Sequence, residues 1–176
     1  MKFNKTKIKG LFIIEPTKFS DERGYFLKSF EKQVFLKQGI KFEISQINHS
    51  FNKKKATLRG MHMQKKPFSE AKIVQCIKGR IIDVAIDLRK NSKTYGKWEA
   101  VELSEDNKTV FYIPEGFAHG FETLEENSEV LYFMTGKYSK EHELGFRWND
   151  PFFGITWPLK PLVIADKDQA WSLIKK

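Results

Sequence analysis

Cys76 is the only cysteine in the 176 residues. A lone thiol excludes an intramolecular disulfide and a multi-cysteine metal site, and it suits a reducing compartment. It lies in Ile73-Val74-Gln75-Cys76-Ile77, where a small buried hydrophobe on a strand is the expected role. No apolar run approaches the length of a membrane span. The opening Met1-Lys2-Phe3-Asn4-Lys5-Thr6-Lys7 lacks the apolar stretch of a secretory signal. Together these absences point to a cytoplasmic protein with no membrane partner. Internal repeats, low-complexity tracts and linker-like stretches are missing as well, so one domain over residues 1–176 is expected.

Acidic residues are outnumbered by basic ones, 22 against 31, for a net charge of +9. The lysines are scattered, and only Lys53-Lys54-Lys55 forms a run, within a polar turn. Without a basic face interleaved with aromatics, a nucleic-acid partner is not expected. A positive field does favour capture of an anionic small molecule. What the chain has in plenty is aromatic bulk, including 16 phenylalanines, which excludes a disordered class and supplies a sizeable core.

Strand signals dominate the patterning. Leu11-Phe12-Ile13-Ile14 is a short apolar run ended by Pro16, and Tyr25 to Phe30 alternates after the turn Ser20-Asp21-Glu22-Arg23-Gly24. From Lys41 the period returns to two, with Phe42, Ile44, Gln46 and Asn48 on one expected strand face. Ile73–Ile77 and Ile81–Leu88 flank Lys78-Gly79, which reads as a hairpin turn. Further strands are expected over Trp98–Leu103, Thr109–Ile113, Phe121–Leu124, Val130–Thr135 and Leu162–Ile164. One short helix is expected over Ser29–Gln38, closed by Gly39. Many short strands with little helix predict an all-β barrel or double-sheet sandwich.

Two of the only four histidines stand in aromatic, strand-rich segments. These are Leu58-Arg59-Gly60-Met61-His62-Met63-Gln64 and Ile113-Pro114-Glu115-Gly116-Phe117-Ala118-His119-Gly120-Phe121. Histidine titrates near neutrality, and the charged residues around these two point to acid–base work on an anionic substrate. Asp83 lies inside the apolar run Ile81–Asp87. A lone buried carboxylate is costly, so it requires a charged or donating partner, which its position alone does not name.

These segments, with Phe19–Phe26, Gln46–Ser50, Lys72-Ile73-Val74, Asp83–Arg89, Ser92–Trp98, Arg147–Pro151, Ile155–Pro158 and Lys167-Asp168, carry a resemblance. In order, from about residue 11 to 170, the chain resembles the dTDP-4-dehydrorhamnose 3,5-epimerase family of nucleotide-sugar epimerases within the cupin superfamily. The resemblance implies a cupin-type double-stranded β-helix, or jelly roll, with short peripheral helices, and a homodimer. It implies epimerisation of a dTDP-linked 4-keto-6-deoxy sugar at C3 and C5, with no cofactor because the hydrogens move as protons. It also implies no metal, and His62-Met63-Gln64 lacks the His-x-His pair of metal-binding cupins.

By the same resemblance His62 is the base, Asp168 its carboxylate partner, Lys72 the cation at the sugar carbonyl and Tyr132 the opposing acid. His119 contacts substrate or orients the site, supported by Asp83. Arg59 and Arg23 hold the diphosphate. Gln46, Asn48, Phe26 and Tyr138 meet the nucleotide end, with Glu143 and Phe19 as further contacts; Arg23 and Phe26 are expected at the partner subunit's pocket.

The chain departs from the family pattern at Lys28, where a glutamate is usual, and at Met61 and Met63 beside the base. Ser69-Glu70-Ala71 replaces a glutamine-containing approach to Lys72, and Phe133-Met134 replaces a lysine-containing pattern after Tyr132. Two other readings therefore stay open: an epimerase acting at one carbon only, and a non-catalytic nucleotide-sugar-binding cupin.

Overall fold

Strands whose alternate residues are apolar bury them by facing one sheet with another, so that those residues meet in one interior. The structure, a computed structural model, describes residues 1–174. One sheet holds β1 (Lys2–Lys5), β2 (Phe12–Glu15), β5 (Gln46–Asn52), β7 (Lys72–Lys78), β10 (Val110–Ile113) and β12 (Ser128–Met134), in the order β1-β2-β10-β7-β12-β5. The facing sheet holds β6 (Thr57–Gln64), β8 (Arg80–Asp87), β9 (Trp98–Ser104), β11 (Phe117–Thr123) and β13 (Glu143–Gly145), in the order β13-β6-β11-β8-β9. A short β14 (Val163–Ile164) pairs in parallel with β6. A separate hairpin joins β3 (Lys18–Asp21) to β4 (Gly24–Leu27). Two short helices, α1 (Lys32–Lys37) and α2 (Asp166–Ala170), lie outside the sheets. This is the all-β, cupin-type jelly roll expected from the sequence.

The interior is apolar in one part and polar in another along the same inward-facing columns. Val74 and Cys76, Ile81 and Ala85, Phe117 and Phe121, and Val130 join one buried cluster. Two positions along from members of that cluster stand Lys72, Asp83, His119 and Tyr132. Alternation keeps these polar residues on the same face as their apolar neighbours, so the core continues directly into a polar cavity. Cys76 is fully buried, and burial pushes its thiol up to about 12, consistent with an inert packing role.

The outer faces are covered too. Phe35 of α1, with Ile40, Phe42 and Tyr112, packs over the first sheet. Phe153, Ile155 and Trp157 of the C-terminal segment pack over the second, against Met61, Val84 and Ile86.

Local expectations fail where tertiary packing overrides them. Lys78-Gly79 does not close a hairpin. β7 pairs with β10 and β12, whereas β8 pairs with β9 and β11. Gly79, at φ +71, turns a corner that carries the chain from one sheet to the other, because Cys76 and Ile81 must enter one core from opposite sides. The helix is shorter than Ser29–Gln38: Phe30 leaves it to pack on Phe35 and Phe42. Phe42 likewise leaves the expected strand, which begins only at Gln46.

The loop after β8 is tied to the buried Asp87. Its carboxylate accepts from Arg89 Nε (2.8 Å), Ser92 Oγ (2.5 Å) and Thr94 Oγ1 (2.6 Å). Burial by itself would raise this carboxyl, but those donors outweigh it and hold the pKa at about 2. A carboxyl depressed by folding adds stability above its unfolded pKa and loses it as pH falls through the folded value. Asp87 is therefore expected to contribute about 2 kcal/mol at neutral pH, lost between about pH 4 and 2. Denaturant titrations of Asp87→Asn at pH 6 and pH 2.5 check this: the variant's stability should fall less across that interval than the parent's.

Candidate active site

The polar end of the interior opens as a cavity of about 740 Å³. His62 on β6 and His119 on β11 face each other in register on adjacent antiparallel strands. The ladder is irregular between His119 and Phe121. Glycine makes this close approach possible: a Cβ on Gly60 would sit 2.5 Å from Gly120 Cα, and one on Gly120 would sit 2.6 Å from Arg59 O. Gly60, two positions before His62, and Gly120, next to His119, thus let the strands come together where the rings enter the cavity.

Each histidine has its own carboxylate. His62 Nε2 lies 2.6 Å from Asp168 Oδ1, across 106 positions of sequence. Asp168 Oδ2 accepts from the Gly60 N–H at 3.1 Å. Burial would raise the Asp168 carboxyl, but the His62 hydrogen bond and charge and the Gly60 bond outweigh it, so its pKa lies below the usual range. An ionised Asp168 accepts the Nε2 proton, which leaves His62 Nδ1 as the basic nitrogen.

His119 Nε2 lies 2.8 Å from Asp83 Oδ2. Asp83 is fully buried, and burial raises its pKa against the opposing pull of His119 and Lys72. The partner required for the carboxylate in the apolar run is therefore His119.

The opposite sheet supplies Lys72, Tyr132, Gln46 and Asn48, while Arg59 comes from β6, as His62 does. Lys72 Nζ lies 3.3 Å from Glu70 Oε1. Tyr132 lines the cavity from β12, and its phenol is pushed up first by burial and further by Glu70, against the pull of Arg59. Arg59 donates from Nε to Asn52 Oδ1 at 2.7 Å, which fixes its guanidinium at the cavity wall. Gln46 and Asn48 line the wall from β5. Near the opening Tyr138 donates to Glu143 Oε2 at 3.2 Å, and Lys167 Nζ donates to Glu143 Oε1 at 2.5 Å.

Ten of the residues singled out from the sequence thus line one cavity, and Asp83 stands directly behind His119. Three do not join them. Phe19, Arg23 and Phe26 sit on the β3–β4 hairpin outside this cavity, with Phe19 and Phe26 exposed by 63% and 61%. Arg23 pairs there with Asp21 at 2.6 Å.

Sequence reasoning passed over Glu70, Gln64 and Lys167 as site residues, and all three line the cavity. Their positions held a signal. Glu70 precedes Lys72 by two residues, the spacing that puts two side chains on one side of an extended chain, and Lys167 adjoins Asp168. Among the described residues no three His, Cys, Asp or Glu side chains form a metal-ligand group, and no helix is long and apolar enough to cross a membrane.

The arrangement offers a base with an ionised partner, an ammonium and a phenol, drawn from opposing sheets around one space. Known proteins share the whole chain plan. A relative from Shigella flexneri named dTDP-4-dehydrorhamnose 3,5-epimerase is 46% identical over 165 residues, covering 93% of this chain and 91% of its own. The crystal structure of dTDP-4-dehydrorhamnose 3,5-epimerase from Elizabethkingia anophelis superposes with a TM-score of 0.95 at 41% identity, covering 98% of this chain and 96% of that one. The epimerase from Legionella pneumophila, solved in complex with dTDP-4-keto-L-rhamnose, superposes with a TM-score of 0.93 at 39% identity, covering 98% and 92%. The family model described as dTDP-4-dehydrorhamnose 3,5-epimerase matches residues 5–176. With a match of that extent and the same fold beneath it, the chain belongs to the dTDP-4-dehydrorhamnose 3,5-epimerase family of sugar-nucleotide isomerases.

Proposed function

We propose that this protein epimerises dTDP-4-dehydro-6-deoxy-D-glucose at C3 and C5 to dTDP-4-dehydro-L-rhamnose. The observation that carries the reading is the His62–Asp168 pair, held at 2.6 Å on one side of the cavity, with Lys72 and Tyr132 on the opposing sheet.

Inversion beside a ketone requires removal of an α proton, stabilisation of the enolate and return of a proton to the other face. His62 Nδ1 takes the proton, and Asp168 stabilises the imidazolium that results. Lys72 supplies positive charge at the enolate oxygen. Tyr132 delivers a proton from the opposite side, its neutral phenol favoured by burial. His119, backed by Asp83, donates to the sugar. Arg59 binds the diphosphate, and Gln46, Asn48, Tyr138 and Glu143 meet the nucleotide end.

Phe19, Arg23 and Phe26 act in a second copy of the chain. Their hairpin stands apart from both large sheets, and β5 ends its sheet with Ile47 and Phe51 exposed. A homodimer covers that edge and lets the hairpin reach the neighbouring cavity. The reading places the enzyme in the cytoplasm, where nucleotide sugars are made.

Nuclear magnetic resonance with dTDP-4-dehydro-6-deoxy-D-glucose in heavy water tests the assignment. Deuterium entering at both C3 and C5, with an L-configured product, is expected. Entry at one carbon identifies a single-position epimerase. Binding without exchange identifies a non-catalytic sugar-nucleotide cupin.

A further inference from the structure

Lys72 is an unusual place for a cation. Its side chain is only 8% exposed, at the start of a strand whose next residues, Ile73 and Val74, are fully buried. A desolvated ammonium is costly unless a carboxylate and hydrogen bonds compensate it. Among the described residues the carboxylate paired with Lys72 is Glu70, itself 6% exposed.

Both Glu70 oxygens are engaged. Oε1 faces Lys72, and Oε2 accepts from Gln64 Nε2 at 2.9 Å. Gln64 is anchored in turn: its amide nitrogen reaches Lys137 O at 3.0 Å, and its Oε1 accepts from the Ser139 N–H at 2.7 Å. Lys137 and Ser139 flank Tyr138, so one chain of contacts joins the ammonium to the segment carrying that tyrosine.

We infer that Glu70 is a positioning residue for the reaction, holding the Lys72 ammonium in the cavity through a carboxylate that Gln64 locks in place. The inference rests on the epimerase reading. The Lys72–Glu70 separation of 3.3 Å exceeds the 2.7–2.9 Å of a tight charge-assisted bond. Glu70 therefore supplies countercharge while leaving Lys72 free to turn its protons toward a carbonyl oxygen. The other ionisable groups around this space are His62, Asp168, Tyr132, Tyr138, Arg59, Glu143 and Lys167, and His119 with Asp83. The two aspartates are each hydrogen-bonded to a histidine, and Glu143 is held by Lys167 and Tyr138. Asp83 feels the Lys72 charge from behind His119, and Glu70 is the carboxylate within ion-pair distance of the ammonium.

Glu70→Gln tests this in the full chain, because it keeps size and an acceptor for Gln64 while removing charge. It is expected to lower kcat for deuterium entry by about tenfold or more. KM and dTDP affinity are expected to stay within about threefold of the parent, since the loss falls on the enolate and not on the nucleotide. In a Lys72→Met background the same change should have no further effect on rate, because no ammonium remains to be held.

Melting temperatures give a second cycle that needs no activity. Glu70→Gln alone should lower the melting temperature by stranding a buried cation, and Lys72→Met in the same chain should restore it. Equal effects of Glu70→Gln with and without Lys72, in rate and in melting temperature, would overturn the inference, as would a loss expressed wholly in KM. A parent protein that exchanges no deuterium would instead refute the epimerase reading, and the melting cycle would still report whether the two residues are coupled.

Discussion

His62→Ala is expected to lower kcat/KM for deuterium entry by about 10³- to 10⁴-fold, the scale of a lost general base, while dTDP still binds. The physical reason is local. His62 belongs to none of the three apolar clusters, and its side chain is 29% exposed into the cavity. Removing the ring therefore opens space at the site without hollowing a core. It also leaves Asp168 without its imidazole, although the Gly60 N–H remains as a donor. Single-turnover exchange and calorimetric dTDP titration separate the two effects. Exchange that survives at more than about a tenth of the parent rate would remove His62 from the role of base. Loss of the folded state would assign the ring a structural role instead.

Gly145→Ala is expected to disable the same pair from a distance. Gly145 is the residue of β13 that sits opposite His62 on β6. Trp171, at the end of α2, lies directly over it: a Cβ on Gly145 would come within 1.9 Å of Trp171 Cε2. That is an overlap with a rigid ring system, so the indole must leave or the strand must move. Trp171 closes the short helix that carries Asp168, and its departure draws the carboxylate away from Nε2. Overpacking of this kind costs about 1–3 kcal/mol, and a misplaced orienting carboxylate is expected to lower kcat about 100-fold. Urea titration and exchange kinetics on the same sample check both. Trp171→Ala in the Gly145→Ala chain should restore much of the stability, since the clash is gone, but not the rate. A Gly145→Ala enzyme with parental kcat would show that Asp168 is held without the indole.

Much of this molecule was legible along the chain because alternation is a local property. Trp98–Leu103 and Thr109–Ile113 read as strands and form β9 and β10 to within a residue at their ends, since β-branched and aromatic side chains fit a pleated surface. His62 and His119 were conspicuous because histidine is scarce and each stands in a strand-rich, aromatic segment. Asp83 was legible as a carboxylate needing a partner, because a charge in an apolar run has few other fates. The β7–β8 hairpin was misread for a complementary reason. A glycine turn between two strands permits either a hairpin or a corner, and the local residues are the same for both. The hairpin bearing Phe19, Arg23 and Phe26 shows a similar limit: the turn and the strand after it were visible, but not the strand Lys18–Asp21, nor that the hairpin stands outside this chain's own cavity.

Residue order alone was enough for the strand-rich class, the buried cysteine, the two histidine segments and, through many matched segments, the family resemblance. Three-dimensional packing decided the rest: which sheet each strand joins, that His62 meets Asp168 across 106 positions, that Asp83 belongs to His119 and Glu70 to Lys72. The division has one physical cause. Which face a side chain takes follows from the geometry of its own strand, whereas its neighbour across the interior is chosen by the burial of all strands together.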